Sequence, residues 1–355
     1  MFTSAMASVG AGGDNRLRLP KARHSVVILV DGLGYENLTE NKAYARFLNS
    51  KLESSLRCEF PSTTATSLTG LATGARSGQH GIIGYAVYSR ELGLQRNLLT
   101  GWLDRAEASE FKQFPDLSSK ATLVTSVIGP EQYAETGFTE LTMSGASYVT
   151  AESLTERFDS ALRISNQSAS SVTYLYVPEL DQLAHRFGVE SSKWVEALEN
   201  LDSELSRYAS KLGKETGVLL TADHGVLDVA HENHVYLDGF EWFTDSVVSS
   251  AGDPRCNYIY LRDGVEAEVL GQSLKDEFGS RAAVCTHVEL VESGWVASGD
   301  AVIADYVPDF YLIWQKDFVG YDRRTAKPHH LKLIGQHGSI TDRETRIPLV
   351  KFGVF

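Results

Sequence analysis

The stretch SVVILVDG at residues 25–32 decides the fold of this 355-residue chain. Its first six residues form a short, mostly apolar run that is rich in β-branched side chains. Such a run is typical of a strand buried on both faces of a parallel sheet, where helices cover each face. The run stops at Asp31 and Gly32, so the sequence predicts a buried strand whose carboxyl end opens into an acidic loop.

Two later stretches repeat this pattern. Residues 172–177, VTYLYV, are followed by Asp181, and residues 217–221, GVLLT, are followed by Asp223 and His224. In an open, mostly parallel sheet, ligands bind at the carboxyl ends of the strands. We therefore expect the acidic and histidine side chains that follow these strands to meet at one edge of the sheet.

The segments between the strands are predicted to be helices, the clearest of which covers residues 191–212. Its apolar residues recur at steps of three or four and form one stripe, which is typical of a helix that packs on a core. They are Trp194, Leu198, Leu201, Leu205, Tyr208 and Leu212. Strands alternating with such helices indicate an α/β fold with right-handed crossovers, a mostly parallel central sheet and helices on both faces.

The chain is predicted to be one domain with an insertion, which its length allows. Residues 1–23 are small and polar and then basic, so we expect a flexible segment ahead of a main domain at 24–355. The pattern of apolar and polar residues changes at about residues 241–321, where strand-like runs flank an amphipathic run. We expect a smaller α+β lobe to be inserted there.

The composition is that of an ordinary globular protein, with 43% hydrophobic and 22% charged residues. A net charge of -13 makes a nucleic-acid polymer an unfavourable partner, because such binding depends on clustered Lys and Arg. No run approaches the roughly 18 apolar residues of a membrane span, and the start lacks the apolar core of a secretory signal. The three cysteines lack C-x-x-C spacing, which argues against a disulfide framework or a cysteine zinc site. We expect a cytoplasmic protein without membrane association.

The polar residues after the strands are candidates for metal binding. Asp181 and His185 are four residues apart, so on a helical turn they share one face and can bind one cation. Taken alone, a helix-capping aspartate followed by a surface histidine explains them equally well. Asp31, Asp223 and His337 each precede or adjoin a flexible glycine segment, and each is also compatible with an ordinary polar turn.

A cluster of hydroxyl side chains occupies residues 61–67, PSTTATS, where a helix is expected to begin. The free N–H groups and the dipole of a helix N-terminus attract anions. Ser and Thr are also the preferred capping residues, which is the simpler explanation. One cap needs one hydroxyl, however, and this segment carries five.

Taken in order, these motifs resemble those of the alkaline phosphatase superfamily, and most closely its nucleotide pyrophosphatase/phosphodiesterase branch. The resemblance extends from about residue 30 to about residue 340. It rests on Val30-Asp31-Gly32, Phe60-Pro61-Ser62-Thr63-Thr64, Gln79-His80-Gly81-Ile82, the segment from Asp181 to His185, Ala222-Asp223-His224-Gly225 and Gln336-His337-Gly338. It implies an alkaline-phosphatase-like α/β fold for the main domain.

The resemblance also implies a site with two divalent metal ions, zinc first, with manganese or iron as alternatives. The positions that match the metal ligands of the family are Asp181, His185 and His337 for one ion and Asp31, Asp223 and His224 for the other. Thr64 matches the nucleophile. Three carboxylates against two divalent ions leave a net positive pocket for a phosphate on an acidic protein.

The activity implied by the resemblance is hydrolysis of phosphodiester or pyrophosphate bonds in small, nucleotide-type molecules through a phosphothreonine on Thr64. One position departs from the family pattern, because Tyr85 stands where an asparagine contacts a phosphate oxygen. A tyrosine hydroxyl can also donate a hydrogen bond, so Tyr85 is a candidate substrate-binding residue. Asn97 follows nearby, but its spacing does not match the family.

Two alternatives remain open at this point. The same metal site serves phosphomonoesterases and phosphonate hydrolases, although monoesterases usually add an Arg or Lys clamp for the extra charge. Arg76 and Arg90 follow the nucleophile segment but lie in no assignable motif. A catalytically inactive binding protein of the same family is the other alternative. The oligomeric state cannot be predicted from the sequence.

Overall fold

The three predicted strands lie side by side in a seven-stranded sheet. The computed structural model describes residues 1–299 and 301–355. Its strands are β1 His24–Val30, β2 Leu52–Arg57, β3 Ala86–Ser89, β4 Leu94–Asn97, β5 Val124–Gly129, β6 Ser147–Thr150, β7 Ser171–Val177, β8 Thr216–Thr221, β9 Leu227–Asp228, β10 His234–Tyr236, β11 Val247–Asp253, β12 Cys256–Leu261, β13 Ala282–Cys285, β14 Phe310–Trp314, β15 Val319–Tyr321, β16 Gly335–Gln336 and β17 Arg346–Gly353. Its α-helices are α1 Phe2–Ser8, α2 Tyr35–Glu40, α3 Arg46–Lys51, α4 Thr64–Thr73, α5 Ser77–His80, α6 Arg105–Phe111, α7 Gly137–Met143, α8 Leu154–Gln167, α9 Glu179–Phe187, α10 Ser192–Ser210, α11 Glu241–Ser246, α12 Ala267–Phe278, α13 His287–Glu292 and α14 Asp342–Thr345.

The central sheet has the strand order β2-β17-β8-β1-β7-β5-β6. Strand β1 pairs in parallel with β7 on one side and β8 on the other, and Val26 lies opposite both Thr173 and Val218. Only β17 runs against the others, and it pairs antiparallel with β8 and β2. The prediction of a mostly parallel α/β sheet is confirmed, and all the predicted metal ligands except His337 follow its three middle strands.

Helices cover both faces of this sheet because alternate residues of β1 point to opposite sides. Val26 and Ile28 lie in a core that also contains Trp194 of α10, whereas Val27 and Leu29 lie in the core on the other face. The stripe predicted for α10 is buried from Trp194 to Tyr208. In the part of the chain that the structure describes, no helix is long and apolar enough to cross a membrane.

The N-terminal segment, expected to be flexible, contains a packed helix instead. In α1, Phe2 and Met6 are buried in the same core as Val27 and Leu29. Phe2, Ala5 and Met6 are spaced by three and four residues, so they share one helical face. This signal was obscured by the small and polar residues around it. Burial of one face holds the segment on the sheet.

A second, four-stranded antiparallel sheet has the order β11-β12-β14-β13 and lies within residues 247–314. Helix α12 and the side chains of Phe243 and Trp314 complete its separate apolar core. This sheet falls inside the range 241–321 expected for the smaller lobe. The three cysteines of the chain are unpaired, as expected.

A buried ion pair joins this lobe to the segment that precedes β17. Arg255, in the turn between β11 and β12, donates to Glu344 of α14 at 3.1 and 2.7 Å, and neither side chain is exposed. Glu344 also accepts the backbone N–H of Ser339 at 2.9 Å. The pair therefore fixes the lobe against the loop that carries His337.

Candidate active site

The six predicted metal ligands lie in two groups of three, five of them after the carboxyl ends of β1, β7 and β8 and the sixth, His337, directly after β16. Within each group the ligand atoms are all within 4.8 Å of one another. The Asp31 group consists of Asp31, Asp223 and His224, and the Asp181 group consists of Asp181, His185 and His337. Thus the fold assembles residues that are separated by up to about 300 positions in the chain.

The Asp31 group is buried below Thr64. His224 Nε2 lies 3.4 Å from Asp31 Oδ1 and 3.6 Å from Asp223 Oδ2. The other oxygen of Asp223 accepts the backbone N–H groups of Gly32 at 3.2 Å and of His224 at 3.1 Å. This arrangement holds one carboxylate oxygen in place and leaves the second for a ligand.

The Asp181 group lies beside it and is less buried. Helix α9 brings Asp181 and His185 onto one face, with Asp181 Oδ2 3.3 Å from His185 Nε2. His337 Nε2 lies 3.9 Å from Asp181 Oδ1. The rings of His224 and His337 stack with centroids 3.6 Å apart, so the two groups adjoin.

All three histidines use Nδ1 to contact a backbone carbonyl oxygen. The distances are 2.8 Å from His185 to Gly335, 2.9 Å from His337 to Ser62 and 3.2 Å from His224 to Gly225. A carbonyl oxygen only accepts hydrogen bonds, so each Nδ1 carries the proton. Each Nε2 then presents its lone pair to the site, as a metal-binding histidine requires.

The donor set fits two divalent cations. Within residues 1–299 and 301–355, each carboxylate has one buried oxygen without a hydrogen-bond partner: Asp31 Oδ1, Asp181 Oδ1 and Asp223 Oδ2. Burial, and then the charges of Asp223 and Asp181, raise the pKa of Asp31 well above its usual value. Burial and the neighbouring His224 and His185 lower the pKa of His337 well below its usual value. Buried carboxylates and neutral imidazoles are the ligands that such cations bind.

Thr64 is the first residue of α4, and its hydroxyl lies 3.2 Å from His224 Nε2. The cap of this helix is Thr63, whose side chain accepts from the backbone N–H of Thr66. Within the PSTTATS segment, Thr63 therefore caps the helix, and the hydroxyl of Thr64 is left free to face the site. Thr64 is the one that adjoins the Asp31 group.

Ser62 was missed as a site residue by the sequence reasoning. Its hydroxyl donates to Ser339 O at 2.7 Å and accepts the backbone N–H of Gly338 at 3.1 Å, while its carbonyl accepts from His337. These three hydrogen bonds connect the segment of the predicted nucleophile to the loop of the predicted metal ligand His337. No local sequence signal predicts this pairing, because the two segments are 275 or more positions apart.

Tyr85 and Asn97 lie together in the site region. Ala86 of β3 pairs with Asn97 of β4, so the hairpin places Asn97 beside Tyr85. Burial raises the pKa of Tyr85, and a hydrogen bond with the Asn97 side chain opposes this effect. The position of Asn97 in the sequence does not match the family pattern, so the sequence alone does not predict it as a site residue. Gly93, at a φ of +65°, marks the turn of the hairpin that brings it back.

Two cavities meet at Thr64 and Asp181, which line both of them. The smaller cavity, about 510 Å³, contains Asp31 and a wall of aromatic side chains that includes Trp102, Tyr133 and Phe138. The larger cavity, about 780 Å³, is more polar and contains the other two ligands of the Asp181 group, together with Tyr85, Asn97 and Asp253. The site thus opens in two chemically different directions.

Removing the hydroxyl of Tyr176 is expected to weaken metal binding at the Asp31 group. This hydroxyl donates to Asp31 Oδ2 and so orients the carboxylate. Loss of an outer partner of this kind costs about ten- to a hundredfold in metal affinity. Competition with a chromogenic chelator would measure this for Tyr176→Phe. Tyr174→Phe is the matched control, because in the described residues the Tyr174 hydroxyl has no hydrogen-bond partner. Unchanged affinity in Tyr176→Phe would contradict the prediction.

Asp223→Asn is expected to change stability in opposite directions with and without metal. In metal-free protein the variant removes the charge next to the buried Asp31 carboxyl, whose pKa that charge raises, so the free energy of unfolding should be higher than in wild type. With zinc at about a hundred times its dissociation constant, wild type gains about 2.7 kcal/mol per ion, and the variant should lose most of one such gain. Urea unfolding near neutral pH with chelator and with zinc measures both effects.

Asp116→Asn provides the control for this comparison. Asp116 is also fully buried, accepts the backbone N–H of Ser119 at 2.9 Å, and lies in neither group. Its replacement should lower stability by the same amount in both conditions. If Asp223→Asn behaves in the same way as Asp116→Asn, the Asp31 group does not bind metal.

The family model described as type I phosphodiesterase/nucleotide pyrophosphatase matches residues 25–277, well over half of the chain. This range contains Thr64 and every predicted ligand except His337, which the fold adds from β16. No curated protein matches the chain in sequence.

Solved structures of two kinds are similar in fold. Murine ectonucleotide pyrophosphatase/phosphodiesterase 5 is 15% identical with a TM-score of 0.67, and 92% of this chain and 87% of that chain are covered. Phosphonoacetate hydrolase from Sinorhizobium meliloti 1021, in complex with phosphonoformate, is 16% identical with a TM-score of 0.71, covering 94% and 91%. The alkaline-phosphatase-like fold is confirmed. On the family match over residues 25–277, the chain belongs to the type I phosphodiesterase/nucleotide pyrophosphatase family, whose members are phosphoric ester hydrolases.

Proposed function

We propose that this protein hydrolyses phosphodiester or pyrophosphate bonds of small, nucleotide-type molecules through a phosphothreonine intermediate on Thr64. One observation carries the proposal. The Thr64 hydroxyl, 3.2 Å from His224 Nε2, lies where two three-residue ligand groups and two cavities meet. A phosphorus atom placed there contacts the nucleophile and has room for a substituent on either side.

The two ligand groups would each hold one divalent cation. Zinc is the first choice because it prefers His nitrogen and Asp oxygen donors, and manganese or iron are the alternatives. When bound, such ions lower the pKa of a coordinated hydroxyl or water and neutralise charge on the phosphoryl oxygens. The three histidines of the site contribute lone pairs in a fixed direction. Hydrogen bonds at Nδ1 hold the rings of His185, His224 and His337 so that each Nε2 lone pair points into the site.

Thr64 would act in two steps. In the first, its oxygen forms a bond to phosphorus while the bond from phosphorus to the leaving oxygen breaks, and the hydroxyl proton passes to solvent. In the second, a water oxygen bonds to phosphorus, the bond to the Thr64 oxygen breaks, and the threonine regains a proton. Because Thr64 begins α4, backbone N–H groups at the helix start favour the phosphoryl charge.

The surroundings of Thr64 favour a diester over a monoester. A monoester carries one further negative charge, which phosphatases usually bind with Arg or Lys. Arg76 donates to the carbonyl oxygens of Gly294 and Trp295, and Arg90 donates to Asp309, so both are engaged elsewhere. Of the cations that line the larger cavity, Arg96 is paired with Glu107, and Lys327 is the one that could bind a further negative charge. A diester also needs space for two substituents, which the two cavities supply.

The comparisons support a small phosphorus ester or acid as substrate. A structure of an inactive variant of the murine relative is described as a complex with AMP, and the bacterial relative is described as a complex with phosphonoformate. The net charge of -13 argues for small molecules over nucleic-acid polymers. Phosphonate hydrolysis remains the competing activity, because the same site would serve it.

Rates on three chromogenic substrates test the proposal. The protein reconstituted with zinc is given an aryl phosphate diester, an aryl phosphate monoester and an aryl phosphonate monoester, with Thr64→Ala as control. We expect the diester to be favoured in kcat/KM by about a hundredfold, which corresponds to roughly 2.8 kcal/mol. A monoester or phosphonate preference of that size would replace the proposed activity. Equal rates in the Thr64→Ala control would exclude the phosphothreonine.

A further inference from the structure

Asp253 is the last residue of β11 and lies at the tip of the hairpin between β11 and β12. The buried pair of Arg255 and Glu344 anchors this tip to the segment that follows His337. An ideal Cβ built on Gly338 would lie 2.9 Å from the Cβ of Asp253. Asp253 is thus held beside the residue that follows a metal ligand.

The Asp253 side chain is buried and lines the larger cavity, with 7% of its surface exposed. Throughout residues 1–299 and 301–355, its Oδ2 finds no hydrogen-bond partner. The guanidinium of Arg255, two residues later, donates to Glu344 and to Phe318 O instead. Burial raises the pKa of Asp253 to about 8, and the backbone N–H of Tyr85 opposes this effect.

A buried carboxyl oxygen without a hydrogen-bond partner is costly to a fold, so Oδ2 of Asp253 requires an explanation. A structural role does not explain Asp253, because the contacts that hold the hairpin are made by its neighbours. Asn257, for example, donates to the backbone oxygen of Asp253 and not to the carboxyl. A hydrogen-bond donor on a molecule in the cavity would satisfy the oxygen.

The reaction geometry decides which part of a substrate reaches Asp253. The Thr64 hydroxyl lies at the Asp31 group, 3.2 Å from His224 Nε2. In an in-line displacement the leaving group departs on the side opposite the nucleophile. That side is the Asp181 group, whose His185 and His337 line the larger cavity and not the smaller one. The leaving group therefore occupies the cavity that Asp253 lines.

We propose that Asp253 determines specificity for the leaving group, by accepting a hydrogen bond from a hydroxyl or amino group that the leaving alcohol carries. This inference rests on the proposed function. The substrate class that it selects is a phosphodiester of a hydroxylated or amino-bearing alcohol.

Other polar groups of the larger cavity suit the same ligand. The side chains of Tyr85 and Asn97 adjoin each other on its wall, and Asp322 lies there as well. Asp322 is paired with Arg324 at 2.7 Å, so its charge is already compensated. Among the described residues, Asp181 and Asp253 are the carboxyls of this wall that have a buried oxygen without a hydrogen-bond partner, and Asp181 already belongs to a predicted metal-binding group.

Three phosphodiesters with the same retained phenyl group test this proposal. Their leaving groups are one nitrophenol that carries a hydroxymethyl, a methoxymethyl or a methyl group. In wild-type protein with zinc, we expect the hydroxymethyl ester to exceed the other two in kcat/KM by about tenfold or more, the effect of leaving one buried polar group unpaired. In Asp253→Ala, the ratio should fall to about one. Asp202→Asn, a buried carboxylate near Phe47 that lines neither cavity, should keep the wild-type ratio.

The outcomes separate this inference from the function on which it rests. If wild type cleaves none of the three esters, the proposed function fails, and the role of Asp253 fails with it. If it cleaves the hydroxymethyl and methoxymethyl esters equally, Asp253 does not accept a donor, while the proposed function stands. A ratio in Asp253→Ala that equals the wild-type ratio also overturns the inference. Equal rates on the esters in wild type overturn the inference even if the variant does not fold.

Discussion

Thr64→Ala is expected to reduce kcat on a phosphodiester by a factor on the order of ten thousand or more, as removal of a catalytic nucleophile does in other enzymes. The variant loses the only atom that can form the phosphothreonine bond. Its metal ligands are unchanged, so bound zinc should equal that of wild type. Single-turnover kinetics and metal analysis on the same preparation measure both quantities.

Two neighbouring substitutions show whether the effect belongs to the nucleophile. Thr64→Ser keeps the hydroxyl and should retain much of the activity. Thr63→Ala removes the helix cap, which costs about 1 kcal/mol of stability but leaves the nucleophile in place. A Thr64→Ala rate within about tenfold of wild type would mean that water attacks the phosphorus directly, because a tenfold change corresponds to only 1.4 kcal/mol.

Glu344→Ala is expected to lower the free energy of unfolding by roughly 3–5 kcal/mol, the usual cost of removing one partner of a buried ion pair. The change leaves the Arg255 guanidinium buried without its carboxylate, and it frees the backbone N–H of Ser339. Urea unfolding of the metal-free protein measures the loss. Metal affinity should fall as well, because Ser339 belongs to the loop of His337.

Arg343→Ala is the control on the adjacent position. Arg343 pairs with Glu40 at 2.7 Å, but the two side chains are 35% and 52% exposed. Exposed pairs contribute about 1 kcal/mol or less, so this substitution should have a small effect. A loss in Glu344→Ala no larger than that in Arg343→Ala would show that the buried pair does not anchor the lobe.

The central sheet could be predicted because its strands are buried on both faces. A strand of this kind is an uninterrupted apolar run, and residues 25–30, 172–177 and 217–221 all show it. The strand ends were equally visible, since each run stops at a polar residue. The rule that ligands lie at the carboxyl ends of parallel strands then grouped Asp31, Asp223 and their neighbours without any coordinates.

Contacts between distant segments could not be predicted in this way. The hydrogen bonds of Ser62 to residues 337–339 depend on how the loops pack, and no spacing in the sequence encodes them. Asp253 carries no signal either, because an aspartate before a proline is an ordinary turn residue. Helix α1 was missed although Phe2, Ala5 and Met6 have helical spacing, since three apolar residues are too few to outweigh a polar surrounding.

The hydrogen bonds between Ser62 and residues 337–339 also bear on how the protein is made. Ser62 and His337 are 275 positions apart, so a nascent chain carries Ser62, Thr64 and even the complete Asp31 group long before His337 is synthesised. Until residues 335–345 leave the ribosome, the Asp181 group has two ligands and the nucleophile loop has no partner. Completion of the site therefore waits for the synthesis of residues 335–345, and under the proposed function the second ion can bind only after that segment has folded.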